Sequence, residues 1–311
     1  MPLITVIVPN FNHASFLARR INSILLQSFN DFEIIILDDA STDNSRDILE
    51  SYRSHPKVKA IHYNRHNSGS PFKQWEKGIG LAASEWIWIA ESDDYCTPYF
   101  LEALLPAMQH PKCVLAYHAI TWVNEKNEII KSPVKHRPKW FEGKAFLQKK
   151  MLVQNTLVNA GMCVFRRSAL QQVAPGWQAM RQAGDYWLFT EVARQGLVFA
   201  SGEPQAFFRR HNRALTVNNL SAEWAMLERL QVTDQMLQRN SIIIKHYRNL
   251  FVNELTTLHT QKRGLNANAF QEQWQWWQQQ ALLRDVHIPL TEIWIQSARR
   301  KAAHLWRQWT A

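Results

Sequence analysis

Residues 85–95 read EWIWIAESDDY, a run of bulky apolar side chains that breaks directly into carboxylates. Trp86 to Ala90 is short, uninterrupted and rich in aromatic and β-branched residues, the pattern of a strand buried on both faces. Glu91, Asp93 and Asp94 then stand together where that strand emerges. Like charges this close raise each other's pKa unless a cation neutralises them. Spacing alone leaves two readings open. One is a cation site; the other is an acidic turn ahead of a helix that Thr97-Pro98 would start.

The same kind of strand recurs upstream. Leu3–Val8, Phe32–Leu37 and Val58–Tyr63 are β-branched or apolar runs, and between them the periodicity changes to helical. Residues 14–28 place Leu17, Ile21, Ile24 and Leu25 on one face. A second helix is expected from about Asp43, capped by Ser41 or Thr42, and a third over 71–83. Strands alternating with helices at this spacing form βαβ units and a parallel sheet covered on both faces. From about 120 to 150 the pattern loosens into hairpin-like and loop segments. It resumes with a strand at Met162–Phe165, a helix over 184–196 and a strand over 204–210. Beyond about 216 it turns helical, so the organisation read here is an α/β domain over 1–215 and an α-helical extension over 216–311.

In an open parallel sheet, ligands bind beyond the carboxyl ends of the strands. Those ends carry Pro9 to Asn12, Asp38-Asp39, Asn64 to Ser70, and Glu91 to Asp94. Polar and acidic residues at several strand ends argue for a site where one acidic turn would not. No GxGxxG follows the first strand and no GxxxxGK[ST] occurs anywhere, which removes the dinucleotide and P-loop readings. What remains is a nucleotide held by carboxylates and a metal.

Composition bounds the rest. The 311 residues are 46% hydrophobic and 20% charged, a globular chain with a formal net charge of +10 that suits an anionic partner. Cys96, Cys113 and Cys163 are too few and too far apart for a disulfide framework or a CxxC knuckle, as in a reducing compartment. The strand-like TVIVP so close to Met1 reads as a start without a secretory leader. No stretch approaches the roughly 18 consecutive apolar residues of a spanning helix. The expected location is therefore the cytoplasm, with a peripheral place on the inner face of the cytoplasmic membrane as an extension.

Four segments carry a resemblance. TVIVPNFNHASFL, EIIILDDASTDNS, NSGSPFKQWEKGIGLAASEWIWIAESDD and AGDYWLFTEVARQG, in that order across roughly residues 1–212, resemble family 2 glycosyltransferases of the GT-A fold. The likeness implies a Rossmann-like, mostly parallel sheet flanked by helices. It also implies a nucleotide-sugar donor such as a UDP-sugar, a divalent cation (Mn²⁺ or Mg²⁺), and inversion at the anomeric carbon. The acceptor it implies is a glycan or glycolipid of cell-surface polysaccharide synthesis, or a polyprenyl phosphate at the membrane face.

Carried over residue by residue, the resemblance assigns Pro9, Phe11 and Asn12 to the nucleobase pocket and Asp38 and Asp39 to the base and ribose. Lys73 and Ser92 join the donor-binding group. Asp93 becomes the direct metal ligand, Glu91 and Asp94 support it or meet the sugar, and His211 closes over the diphosphate or metal. Asp185 takes the role of general base on the acceptor hydroxyl, with helix capping as the bland alternative. Two positions depart from the family pattern: Glu91 stands where an Asp is usual, and Gly184 where a Glu usually precedes Asp185. Arg209, Arg210 and Arg213 read either as phosphate contacts or as a solvated basic turn. His55, His62, His66 and His118 lack ligand-like spacing and read as surface or core residues.

Seven of the fourteen tryptophans follow residue 220. Leu290, Trp294, Ala298, Ala302, Leu305 and Trp309 recur at helical spacing among Arg299, Arg300, Lys301 and Arg307, which fits packing, subunit contact in a homo-oligomer, or an anionic membrane surface. No nucleic-acid motif accompanies the high charge, so nucleic acid is not an expected partner. A non-catalytic, sugar-nucleotide-binding protein on a decayed fold is the reading from a different class.

Overall fold

The computed structural model describes residues 1–152, 155–211 and 222–240. The chain divides into two compact units, Met1–Val232 and Thr233–Ala311. The amphipathic tail expected over 290–309, and Arg213, lie outside the described residues.

The amino-terminal strands β1 (Ile4–Asn10), β2 (Phe32–Asp38), β3 (Val58–Tyr63) and β4 (Trp86–Ile89) alternate with helices α1 (Ala14–Leu25), α2 (Ser45–Ser51) and α3 (Pro71–Leu81). Strands β5 (Tyr95–Cys96), β6 (Cys113–Tyr117), β7 (Ile120–Val123), β8 (Ile129–Lys131), β9 (Lys139–Glu142) and β10 (Cys163–Arg166) follow. The longer helix α4 (Gly184–Ala193), strands β11 (Leu197–Ala200) and β12 (Ala206–Arg209), and the long helix α5 (Ala222–Arg239) come next, with short helical turns between the strands from residue 102 onward.

The main sheet has the order β3-β2-β1-β4-β10-β6-β11-β9. β1 pairs in parallel with β2 and β4, and β2 with β3; β10 runs antiparallel to both β4 and β6, and β9 antiparallel to β11. The sheet is thus mixed but mostly parallel, as the alternation of elements implies. β1 lies deep within it, and all seven of its residues are buried. Pro9 is therefore a strand residue, and β1 runs two residues past the Val8 at which the apolar run was expected to end. The missing N–H of Pro9 faces the β4 side, where pairing has already ended at Ile7–Ile89, so no ladder bond is lost there.

Trp86, Ile87, Trp88 and Ile89 are all fully buried, which explains the unbroken apolar run. Burying each such side chain contributes about 1.5–3 kcal/mol, so β4 is held firmly right up to its acidic end. Trp88 also donates its indole N–H to the Gly161 carbonyl at 2.9 Å. No helix starts at Thr97; the chain instead forms β5, the edge of a small second sheet ordered β5-β12-β7-β8. β12 pairs antiparallel to β5 through Ala206–Cys96 and Phe207–Tyr95. That register carries the chain after β12 back alongside the carboxylates that precede β5.

Local differences have local causes. α2 starts at Ser45 with neither expected cap in place, because the Ser41 hydroxyl donates to Asp38 Oδ1 at 2.6 Å and Thr42 N–H donates to Asn12 Oδ1 at 2.7 Å. His118 is a core residue. Its ring nitrogens meet Ser201 Oγ at 2.7 Å and the Phe100 carbonyl at 2.8 Å, and burial pushes its pKa down to about 4. Since a carbonyl only accepts, Nε2 carries the proton. The three cysteines are free and buried. Among the described residues no helix is long and apolar enough to cross a membrane.

Candidate active site

The strand ends meet as the topology demands. Asp38 is buried, and its carboxylate accepts from Asn10 Nδ2 at 2.8 Å, Ser41 N at 3.0 Å and Ser41 Oγ. Asp39 is more heavily engaged. It accepts from Asn64 Nδ2 at 2.6 Å, Gln74 Nε2 at 2.8 Å, Ser68 Oγ at 2.7 Å, and the Ser68 N–H at 3.0 Å to each oxygen. A carboxylate offers about four lone-pair sites, so Asp39 is saturated by its own chain. Both aspartates organise loops at the site's edge. Asn12, at φ +56, links the first two strand-end loops. Phe11 is 43% exposed on the rim, and Lys73 donates to the Ser68 carbonyl at 3.0 Å from the exposed side of α3.

The end of β4 holds the charge. Asp93 Oδ2 accepts from His211 Nε2 at 2.9 Å, a contact made possible by the β5–β12 pairing. His13, at the start of α1, has its Nδ1 2.8 Å from the hydroxyl of buried Ser92. Ligand atoms of His13, Asp93 and His211 all lie within 4.8 Å of one another. Burial alone would push Asp93 up, but the His211 hydrogen bond and the fields of His13 and His211 outweigh it and hold the carboxyl below the usual range. Two imidazoles and an ionised carboxylate within this span form a donor set for a divalent cation that accepts mixed nitrogen and oxygen ligands. Ser92 is placed to orient the His13 ring, a role that outer partners of metal ligands commonly fill.

The other two carboxylates of the run are used differently. Asp94, expected as a metal supporter, is buried and spends one oxygen on the Arg209 N–H at 2.8 Å and the other on Asn159 Nδ2 at 2.8 Å. It braces the second sheet against the first. Asn159 also donates to Glu91. Burial pushes both Glu91 and Asp94 well above the usual carboxylate range; Asp94, Asp93 and then Asp185 add to it at Glu91, and Asp93 adds to it at Asp94. The charge of Asp185, far along the sequence, thus acts on Glu91. Arg209 is a brace as well, with its Nε donating to the Asp93 carbonyl at 2.7 Å and its guanidinium 4.6 Å from the Phe16 ring centroid. Arg210 lies 4.6 Å over the Trp122 ring. A cavity of about 450 Å³ opens beside His211, walled by Phe16, Arg19, Lys126 and Arg209.

Asp185 sits in the first turn of α4 and accepts the Tyr186 N–H at 2.6 Å. The cap position itself is Ala183. Burial raises the Asp185 carboxyl to about 7, against the opposing pull of that N–H. Gly184 has a plain steric reason. A Cβ built there would lie 2.5 Å from the Trp177 carbonyl oxygen and 2.6 Å from the Phe72 ring, so the glutamate usual in the family has no room. Gly184→Ala is accordingly expected to cost about 1–3 kcal/mol of stability, as overpacked sites do. A calorimetric melting temperature equal to wild type would show that both Phe72 and the Trp177 carbonyl yield freely.

Residues 5–174 match the family described as glycosyl transferase family 2. The chain belongs to glycosyl transferase family 2. An uncharacterized glycosyltransferase of Nostoc sp. is 29% identical over 174 residues, which is 55% of this chain and 53% of that protein. Poly(ribitol-phosphate) β-N-acetylglucosaminyltransferase TarS of Staphylococcus aureus is 34% identical over 93 residues, 29% of this chain and 16% of TarS. The chain thus spans about half, or less, of these relatives. The crystal structure of TarS residues 1–349 with UDP-GlcNAc superposes with a TM-score of 0.68 at 18% identity, covering 87% of this chain and 78% of that one, a likeness of fold. The family 2 match takes in β1 to β4 and the acidic end, and stops before Asp185 and His211.

His13, Asn159 and Arg209 enter the site without having been singled out as ligand, bridge and brace. His13 had a usable signal, since it directly follows the strand-end loop Asn10 to Asn12. Asn159 had none, because it lies in an irregular segment 65 residues from the Asp94 it serves.

Proposed function

We propose that this family 2 enzyme is an inverting, divalent-cation-dependent glycosyltransferase. It moves a sugar from a UDP-sugar to a hydroxyl of a glycan or glycolipid acceptor in cell-surface polysaccharide synthesis. The observation that carries the reading is β4's acidic end, where Asp93 and two imidazoles bring their ligand atoms within 4.8 Å of one another. The catalytic domain of this reading spans residues 1–215.

His13, Asp93 and His211 would hold the cation. Bound there, Mn²⁺ or Mg²⁺ supplies charge neutralisation for the departing diphosphate. Asp38 and Asp39 act at one remove, keeping the loops that wall the base pocket in place, while exposed Phe11 offers its ring at the rim. Arg19, Lys126 and Arg209 outnumber Glu125 on the wall of the neighbouring cavity, a balance suited to anionic portions of a substrate. Asp185 removes the proton from the acceptor oxygen as that oxygen attacks the anomeric carbon.

UDP-N-acetylglucosamine, the ligand in the TarS crystal structure, is the first donor to try. Release of UDP from it, or from another UDP-sugar, in the presence of Mn²⁺ and stopped by a chelator is the expected result. No release from any nucleotide sugar, with or without metal, would return the chain to the non-catalytic class.

The raised Asp185 carboxyl also sets a pH dependence. The base works only when ionised, and its carboxyl is raised from 3.8 to about 7, so turnover should climb as pH rises from 6 to 8. An acid limb near pH 7 in the wild type, missing from the residual activity of Asp185→Asn, is the expected profile. A limb that persists in the variant would assign it to another group.

A further inference from the structure

Three consecutive backbone N–H groups just ahead of α4 end on one carboxylate. Arg181 N–H donates to Glu228 Oε1 at 2.7 Å, and Gln182 and Ala183 N–H donate to Oε2 at 2.8 and 2.9 Å. Glu228 belongs to α5, 45 to 47 residues further along the chain and well beyond the family match. Successive amides that converge in this way form an anion nest, and charge-assisted bonds of this length are about twice as strong as neutral ones.

The arrangement answers a local deficiency. Residues 181–183 have no regular hydrogen-bonding pattern of their own, and α4 begins from Ala183, which has no side chain with which to cap it. Glu228 supplies the missing acceptor from a different helix, and its charge lies at the positive end of α4. The next residue of α5, Arg229, has its guanidinium 5.7 Å from the centroid of the Tyr186 ring. Tyr186 in turn donates its N–H to Asp185 and its hydroxyl to the Met151 carbonyl at 3.3 Å. α5 therefore grips the chain on both sides of Asp185.

We propose that Glu228 is a positioning residue for the catalytic step: by gathering the amides of 181–183 it fixes the turn from which Asp185 is presented. The proposal rests on the reading of Asp185 as the base. Positioning of this kind has large leverage, since about 1 Å of misplacement can cost roughly 100-fold in rate. Among the described residues, the charged groups that act on Asp185 include Glu228 and Arg229 from α5 and Glu91 beyond β4. Glu228 opposes ionisation of Asp185 and Arg229 favours it, so loss of the Glu228 charge lowers the pKa of the base.

The test uses the full chain and two substitutions. Glu228→Gln keeps the shape and removes the charge; Glu228→Asp keeps the charge and shortens the reach. With UDP-N-acetylglucosamine and Mn²⁺, both should lose roughly 10- to 100-fold in turnover with UDP affinity by calorimetry unchanged. The acid limb should move to lower pH in Glu228→Gln more than in Glu228→Asp. Hydrogen exchange at the amides of 181–183 should quicken in both, a readout independent of activity. In an Asp185→Asn background, Glu228→Gln should cost little more, because the two act in one step. Unchanged exchange would overturn the clip itself. Faster exchange with wild-type turnover would overturn its catalytic role, as would an equal loss in both backgrounds. Full turnover by Asp185→Asn alone would instead remove the base assignment, whatever the amides do.

Discussion

Asp185→Asn should lower transfer by about 10²–10⁴-fold while UDP and Mn²⁺ bind as in the wild type, the usual cost of removing a general base. A single inverting displacement requires the acceptor oxygen to lose its proton on the face opposite the leaving diphosphate. In the proposed reading Asp93 and the two imidazoles would stand with the diphosphate, and Asp94 has both oxygens occupied within the protein. Asp185 stands in the first turn of α4, its charge is among those that raise Glu91, and its own carboxyl is raised to about 7. Asparagine retains the shape and can still accept the Tyr186 N–H, so the first turn of α4 should survive. The same variant should be more stable than the wild type at high pH. The wild-type carboxyl binds its proton more tightly folded than unfolded, so native stability falls as pH rises from about 4 to about 7. The Tm advantage of Asp185→Asn should therefore be largest at pH 8 and vanish near pH 4. Wild-type turnover in the variant would move the base elsewhere, and a lower Tm at pH 8 would mean the charge is welcome where it stands.

Asp93→Ala should weaken Mn²⁺-dependent UDP binding by at least about 100-fold, since even outer-sphere partners of metal ligands typically contribute 10- to 100-fold. Asp93 is the sole carboxylate in the three-residue cluster and the acceptor for the buried His211 ring. Its removal takes away the ligand that carries the charge and the acceptor on His211 Nε2. Calorimetry with UDP, with and without Mn²⁺, separates the effects: the metal-dependent part of the affinity should disappear and the metal-free part should stay. Ser92→Ala offers a graded comparison, with a loss of about 10-fold or more if the hydroxyl orients His13. Metal-dependent affinity left intact in Asp93→Ala would put the cation elsewhere.

The acidic run shows how far a linear reading reaches. Glu91, Asp93 and Asp94 read as one charged unit, yet the folded protein gives each a different partner. Asp93 turns to His211 and His13, Glu91 to Asn159 within reach of Asp185, and Asp94 to Asn159 and the Arg209 amide. Asp38 and Asp39 also read as a pair facing the ligand. Asp38 is tied to its own turn, and Asp39 pins the segment Asn64 to Gln74. The departure at Gly184 has its explanation in Phe72 and in the carbonyl of Trp177, neither of which any local pattern ties to it.

By itself the sequence determined the first four strands, the helices between them and the ends where polar residues gather. Each of those signals reports whether a segment's own side chains alternate, cluster or repeat, and that decides which face is buried before any partner is chosen. The tertiary structure alone decided which side chains meet. His211 reaches Asp93 across 118 residues because β12 pairs with β5 in one register, and a slip of one residue would turn it to the opposite face. Glu228 reaches the amides of 181–183 only through the placement of α5. Such contacts depend on strand pairing and helix docking, which are settled by burial summed over whole elements, and no short stretch of sequence carries that sum.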